Sequence, residues 1–368
     1  MRLAQRTGRI DASGIRKVFD LARSMRDPIN LSIGQPDFDV PDRIKQAAME
    51  AIRDGRNGYT PTQGIAPLRA AIAEEERQYT GRSYPEGGIL VTSGVSGGIL
   101  LALMALVDPG DEVLIPDPYF VMYKHLVRLL GGVPVYLDTY ATDFLVEPQA
   151  LRAAITSRTR LLLLNSPCNP TGRILPADRL EQIAAVCREA AIPVLSDEIY
   201  RAFAYEPAPS IAACYEDTLV LAGHSKAFGM TGWRLGYACG PEELVQAMAM
   251  IQQYSFVCAP AVSQYAALAC PAVDMSGHLA DYRRKRDLMV DILSPAFTVA
   301  PSDGAFYLWI EAPKGMSGSG FVERAIAANV LIIPGAVFSE RDTHFRVCYT
   351  VAHDRLEAGA RRLVELAG

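Results

Sequence analysis

At 368 residues the chain is longer than a single hydrophobic core usually grows, so two lobes or one large α/β domain with an appendage are the expected forms. Half the residues are hydrophobic and 21% are charged, which suits a globular protein with a sizeable core. The net charge of −5 argues against a nucleic-acid or membrane-surface partner. The opening MRLAQRTGRIDASG has basic residues with no apolar stretch behind them, so it does not read as a secretory signal, and no later run reaches the length of a membrane span. The seven cysteines are scattered without C-x-x-C spacing, which points to reduced thiols in a cytoplasmic protein and away from a zinc site or a disulfide framework.

In chain order, a helical IRKVFDLARSM and then LSIGQPDFDVP fill the first forty residues, too few to fold alone. From about residue 40 to 240, amphipathic stretches such as ADRLEQIAAVCREAA alternate with the apolar runs GILVTS, DEVLIPD, VPVYLD, RLLLLN, IPVLSD, LVLAGH and RLGYACG. Near-continuous apolar runs of this length predict strands buried on both faces of a mostly parallel sheet, hence a doubly wound α/β domain. Near residue 276 a long charged helix, HLADYRRKRDLMVDIL, leads to strand signals GAFYLWIE and FRVCYT flanked by helical FVERAIAAN and DRLEAGARRLVEL, an α+β pattern. The expected division is a large domain over 41–280 and a small one built from 1–40 and 281–368. No internal repeat or low-complexity segment is present.

In an open parallel sheet, ligands bind outside the carboxyl ends of the strands. GILVT ends in SGVSGG, DEVLIP in DPYF, RLLLLN in SPCNPTG, IPVLS in DEIY, and LVLAGH in SKAFGMTGWRLG, so these five ends are expected to share one cleft. The first contains Gly94, Ser96 and Gly98 as G-x-S-x-G, which is either the turn of a nucleophilic serine or a glycine-rich helix start that bares N–H groups to a phosphate. Lys226, one of only six lysines, directly follows a buried run; it either snorkels out of the loop or, desolvated, serves as a carbonyl-capturing amine. Asp197 either caps the next helix or is a buried carboxylate in need of a partner, with the Tyr200 hydroxyl three residues on. Asn169 opens NPTG, which by itself is also a plain turn.

Taken together, S-K-A-F-G-M-T-G-W-R-L-G with NPTG and DEIY upstream resembles the class I, fold-type I pyridoxal-phosphate aminotransferases, in particular the aspartate and aromatic aminotransferase group. The resemblance runs from IRKVFDLA and GQPDF through YTPTQG, DPGDEV and IIPG to FRVCYT, essentially the whole chain. It implies a three-layer large domain with a mostly parallel sheet plus a smaller α+β domain from both termini. It also implies pyridoxal 5'-phosphate as cofactor, held as an internal aldimine on Lys226, the lysine that moves the proton between the substrate's α-carbon and the cofactor. By the same resemblance Asp197 pairs with the pyridinium nitrogen, Tyr200 and Asn169 hydrogen-bond the ring's 3'-oxygen, and Phe120 stacks on the ring. Gly94, Val95, Ser96 and Arg234 cradle the phosphate, and Tyr59 reaches the phosphate of a neighbouring subunit, which implies a homodimer with shared active sites. Arg346 grips the substrate's α-carboxylate, Gly34 closes over the substrate, and Asn169 and Ser13 complete the substrate contacts.

Two positions depart from the pattern. The serine often found three residues before the lysine is Gly223 here, followed by His224, and the lysine that some aspartate-specific members carry in the phosphate loop is Ser96. The expected reaction moves an amino group from an L-amino acid, aspartate or aromatic, to a 2-oxo acid such as 2-oxoglutarate. Within the same fold, a C–S β-lyase uses the same lysine. A hydrolase built on Ser96, Asp197 and His353 has the chain order of an α/β-hydrolase triad but lacks an upstream HGGG-type oxyanion motif, and it leaves Lys226, Arg234 and NPTG idle. A non-catalytic, DNA-binding regulator would need a basic appended module for which no length is spare.

Overall fold

The computed structural model describes residues 2–12, 14, 15, 18, 23 and 25–368. Its strands, in chain order, are β1 (Ile29–Asn30), β2 (Ile89–Thr92), β3 (Glu112–Asp117), β4 (Val133–Asp138), β5 (Thr159–Asn165), β6 (Val194–Asp197), β7 (Thr218–Ala222), β8 (Gly236–Cys239), β9 (Tyr307–Glu311), β10 (Val330–Leu331), β11 (Ile333–Pro334) and β12 (His344–Cys348). All seven apolar runs become strands of one sheet in the order β2-β8-β7-β6-β5-β3-β4. Its pairings are parallel except at β8, which runs against both β2 and β7. The molecule is thus an α/β protein with a mostly parallel central sheet.

Strands β2, β6 and β7 are buried along their whole length, as apolar runs covered on both faces must be. Winding reverses between β3 and β5: β4 lies to one side of β3, while β5, β6 and β7 step away on the other. A crevice at the carboxyl ends is the consequence of such a reversal. Register aligns the strand ends there, with Asn165 beside Asp197, Asp197 beside Leu221, and Thr92 beside Gly236.

The C-terminal part adds an antiparallel sheet, β11-β12-β9, and the two-residue pair β1·β10 ties the N-terminal segment to it. Helix Ser276–Leu293 packs on helix His353–Ala367, and Met289, Leu293, Leu356, Ala360 and Leu363 share one core with residues of the large sheet such as Leu195 and Leu221. The helix expected over IRKVFDLARSM lies largely outside the described residues, and Ser13 lies outside them entirely.

Strand β8 supports the cleft by close backbone approach. A Cβ on Gly236 would stand 2.6 Å from the Val95 nitrogen and 2.7 Å from the Gly94 carbonyl carbon, so any side chain there pushes the helix that starts at Gly94. Gly236→Ala is expected to destabilise the protein by about 1–3 kcal/mol through overpacking. Gly277→Ala, in open space near the start of a helix, is expected to be neutral or to gain up to about 1 kcal/mol. Urea unfolding of the two variants beside the parent checks the contrast.

Candidate active site

The strand ends enclose a cavity of about 320 Å³. Val95 and Ser96 reach it from the start of the helix after β2, Phe120 after β3, Asn165 from the last position of β5 and Asn169 after it, Asp197 from the last position of β6 and Tyr200 after it, Ser225 and Lys226 after β7, and Thr231 and Arg234 before β8. Gly34, Tyr307 and Arg346 close it from the side of the second sheet. All five expected strand ends therefore meet, together with Gly34 and Arg346, two of the three residues expected from the terminal segments; the third, Ser13, lies outside the described residues.

At the floor stands Asp197, which is buried and accepts hydrogen bonds from the Tyr123 hydroxyl (2.7 Å) and the Ile199 N–H (3.2 Å). Burial pushes its pKa up to about 6, opposed by those two donors and by the charge of Lys226. The carboxylate is thus buried but not abandoned, since each oxygen has a donor. The Lys226 amine donates to the Gly34 carbonyl at 2.7 Å. Loss of hydration lowers its pKa to about 8; Cys348 and Asp197 resist that shift, and Arg234 and Arg346 reinforce it. Near neutral pH an appreciable fraction of this amine is uncharged, which is the condition for nucleophilic or general-base work.

Above them the Tyr200 hydroxyl shares hydrogen bonds with Asn169 Nδ2 (3.4 Å) and the Tyr307 hydroxyl (2.8 Å). Burial raises its pKa, with Tyr307 and Arg346 opposing, so it stays protonated and able to donate. Arg346 is only 1% exposed. Its Nη1 donates to Asn169 Oδ1 and its Nη2 to the Ser32 carbonyl, both at 2.8 Å, and its carbon lies 4.4 Å and 4.5 Å from the Tyr307 and Phe338 ring centres. The buried Nε has no acceptor among the described residues, an orphaned donor that a carboxylate would satisfy.

At the other end two sources of positive potential converge. Helix Gly94–Leu106 begins at Gly94, whose φ of 68° is reached without strain only by glycine, and a Cβ there would lie 2.6 Å from Arg234 Nη2. Arg234 itself sits at φ 55° and donates to the Thr231 carbonyl at 3.0 Å. Guanidinium and helix N-terminus thus flank one concave spot, with the hydroxyls of Ser96, Ser225 and Thr231 on its wall. The arrangement suits a phosphate.

Phe120 lines the cavity and meets Tyr123 edge-on with ring centres 5.6 Å apart. Tyr59 is not part of the cavity of its own chain and is 86% exposed. Gly223 has no room for a side chain, since its Cβ would lie 2.8 Å from Gly236 Cα, while the imidazole of His224 packs against Phe228 and Tyr237 with Nε2 4.0 Å from Glu75. The G-x-S-x-G serine lines the cavity without a triad: Asp197 binds Tyr123, and His353 pairs instead with Asp281 at 3.0 Å. Tyr123, Asn165, Ser225, Thr231 and Tyr307 escaped the reading of the sequence. Asn165 ends a buried run and Ser225 and Thr231 flank Lys226 in one string, which were available signals; nothing local announces that Tyr123 meets an aspartate 74 residues away.

With this geometry established, comparison with known proteins is informative. The model of the family described as aminotransferase class I and II matches residues 26–363. The aromatic-amino-acid aminotransferase 2 of Thermococcus litoralis is 37% identical, over 99% of this chain and 97% of that protein. The aspartate/prephenate aminotransferase of Thermus thermophilus is 37% identical over 96% and 94%. The structure of the Thermus thermophilus aspartate aminotransferase with maleate superposes with a TM-score of 0.95 at 35% identity, covering 100% of both chains. On sequence, fold and the residues gathered at the strand ends, the chain belongs to the class I and II aminotransferase family and is an aminotransferase.

Proposed function

We propose that the cavity holds pyridoxal 5'-phosphate and that the enzyme moves an amino group from an L-amino acid, aspartate or aromatic, to a 2-oxo acid such as 2-oxoglutarate. The observation that carries this reading is a single cavity in which a desolvated lysine amine lies between a buried carboxylate and a buried arginine with a free donor. The residues fit the cofactor: an anion cup at Gly94–Ser96 and Arg234, a carboxylate at the floor, and hydroxyl and amide donors on the wall. When bound, the cofactor supplies an aldehyde for the amino group and a ring that draws electrons from the α-carbon.

The chain's own residues do the rest. Arg234, with the N–H groups at the start of the Gly94 helix, holds the phosphate, and Phe120 flanks the ring. Asp197, kept anionic by Tyr123 and Ile199, holds a proton on the ring nitrogen, and Tyr200 and Asn169 hydrogen-bond the ring oxygen. Arg346 binds the α-carboxylate. The neutral amine of Lys226 would take the proton from the α-carbon and deliver it across the amino nitrogen to the carbon that was the cofactor's aldehyde. Gly34 and its segment close over the substrate and exclude water, with residues 1–40 and 281–368 as the closing domain and 41–280 as the cofactor domain.

A homodimer completes this reading. The large apolar side chains of Met250, Tyr254, Phe256 and Val257, in and just beyond helix Glu242–Ser255, which packs on the Gly94 helix, are exposed, as is Tyr59, and a second copy would cover them while Tyr59 reaches its cofactor. Ile15, Ile33, Phe120 and Met122 line the cavity, and Ser96 brings no charge, which supports an aromatic donor over a dicarboxylic one. Among the described residues no helix is long and apolar enough to cross a membrane; the cytoplasmic location proposed rests on the scattered cysteines without C-x-x-C spacing.

The purified protein mixed with pyridoxal phosphate is expected to be yellow, with the band trapped by borohydride, and Lys226→Ala is expected to show neither; a colourless parent would overturn the assignment. Capture of pyridoxal phosphate by the cofactor-free enzyme should quicken about tenfold per pH unit and level off near pH 8, because only the neutral amine attacks. A lysine at the ordinary 10.5 would keep accelerating beyond pH 10, and stopped-flow absorbance separates the two. In single-turnover conversion across a panel of donors, L-phenylalanine and L-tyrosine are expected to react at lower concentration than L-aspartate.

A further inference from the structure

The segment Ser32–Asp37 supplies the Ser32 carbonyl to Arg346 and the Gly34 carbonyl to Lys226, yet it belongs to no strand. β1 stops at Asn30, and beyond Leu31 the segment's backbone-to-backbone bonding among the described residues is a single contact, Gln35 N–H to the Ile33 carbonyl. Thr350 adds a side-chain bond to the Ile33 carbonyl at 3.1 Å. What fixes the far end is a helix. His278, Asp281, Tyr282 and Lys285 fall at i, i+3, i+4 and i+7 of Ser276–Leu293, one face of it. That face meets the segment: Phe38 stacks on His278 with ring centres 4.1 Å apart, Tyr282 donates its hydroxyl to Asp37 Oδ1 (2.7 Å) and accepts the Asp37 N–H (3.1 Å), and Lys285 donates to Asp37 Oδ2 (2.5 Å).

We propose that Asp37, Tyr282 and Lys285 form a latch that holds Ser32–Asp37 over the active site, making Asp37 and Lys285 positioning residues for capture of the amino donor's α-carboxylate. The proposal rests on the reading of Arg346 given above. The Lys285 side chain is 5% exposed and that of Asp37 25%, so the pair is largely removed from water. Its second partner is Asp281 at 3.1 Å, which in turn binds His353 of the last helix, so the latch is anchored in the small-domain helices. Loss of the Asp37 charge leaves the buried ammonium with one acid and frees the segment to slide. The Ser32 carbonyl then no longer fixes the plane of the Arg346 guanidinium, and misplacement of such a fork on the ångström scale is costly to binding. The phosphate cup, on the other side of the cavity, is untouched.

The test is steady-state kinetics with L-phenylalanine and L-aspartate as donors and 2-oxoglutarate as acceptor, with pyridoxal phosphate affinity and Tm measured alongside. Asp37→Asn and Lys285→Gln are each expected to raise the donor KM about tenfold while kcat stays within about threefold and cofactor affinity within about twofold. The double variant is expected to be no worse than the more impaired single one, because both remove the same latch. Tyr282→Phe, which deletes one hydroxyl, is expected to raise KM in the same direction by less, and it keeps the test open if Asp37→Asn does not fold. An unchanged KM in these variants overturns the latch, as does a KM rise matched by equal loss of cofactor affinity and Tm, which is the mark of general loosening. A parent enzyme that transaminates neither donor overturns the reading of the site and the latch with it, whereas an active parent with unaffected variants overturns the latch alone.

Discussion

Everything in this molecule turns on holding a lysine amine out of water next to charges of both signs. Water would keep Lys226 protonated; the protein replaces that hydration with one carbonyl, two guanidinium groups and a carboxylate, and the amine's affinity for its proton falls accordingly. The same enclosure threatens Asp197, whose charge is equally unwelcome in a buried place. The answer there is donation from Tyr123 and Ile199, one donor for each oxygen. An acid and an amine in one pocket are therefore both tuned towards neutral pH, by opposite directions of shift with the same cause.

The sheet makes that enclosure possible. Parallel strands put their carboxyl ends side by side, and the register of β5, β6 and β7 sets Asn165, Asp197 and the approach to Lys226 in adjacent rows. The segment after β6 divides its residues between two sides. Asp197 and Tyr200 face the cavity, while Glu198 accepts from Ser196 (2.8 Å) and Ser210 (2.6 Å) and Arg201 lies among Glu75, Glu76 and Glu198 behind it. The wall of the site is thus backed by buried polar groups. Burial lifts Glu198 to about 7, with Arg201 opposing, so this cluster carries a cost of its own that the surrounding core must bear.

The second sheet contributes a different kind of group. Arg346 is placed by two neutral acceptors and two aromatic rings, with no carboxylate bonded to it among the described residues. The role proposed for it, a receptor for a carboxylate, calls for such a setting, because a resident acid would compete with the ligand. That it is tied at once to Asn169 of the loop after β5 and Ser32 of the N-terminal segment means that a ligand bound there, as proposed, would be felt by both parts of the molecule.

The seven strands were legible because buried runs such as RLLLLN and IPVLSD have almost no other way to hide their side chains, and the polar residues that end those runs announced where the cavity lies. Lys226, Asp197, Asn169, Tyr200, Arg234 and Arg346 were legible through the order and separation of their motifs. Tyr123 and Tyr307 were not, because each acts through a contact with a residue 74 or 107 positions away and sits locally in an unremarkable apolar stretch. Nor did the string GHSK tell that Gly223 is closed by Gly236, a fact of strand pairing. By itself the sequence determined the seven strands of the large sheet, β9 and β12, the α/β class and the chemical groups available, since these follow from local periodicity and residue type. Only the tertiary structure decided which donors keep Asp197 anionic, how far Lys226 is desolvated and what anchors Ser32–Asp37, because burial and hydrogen bonding across long separations exist only once the chain has closed on itself.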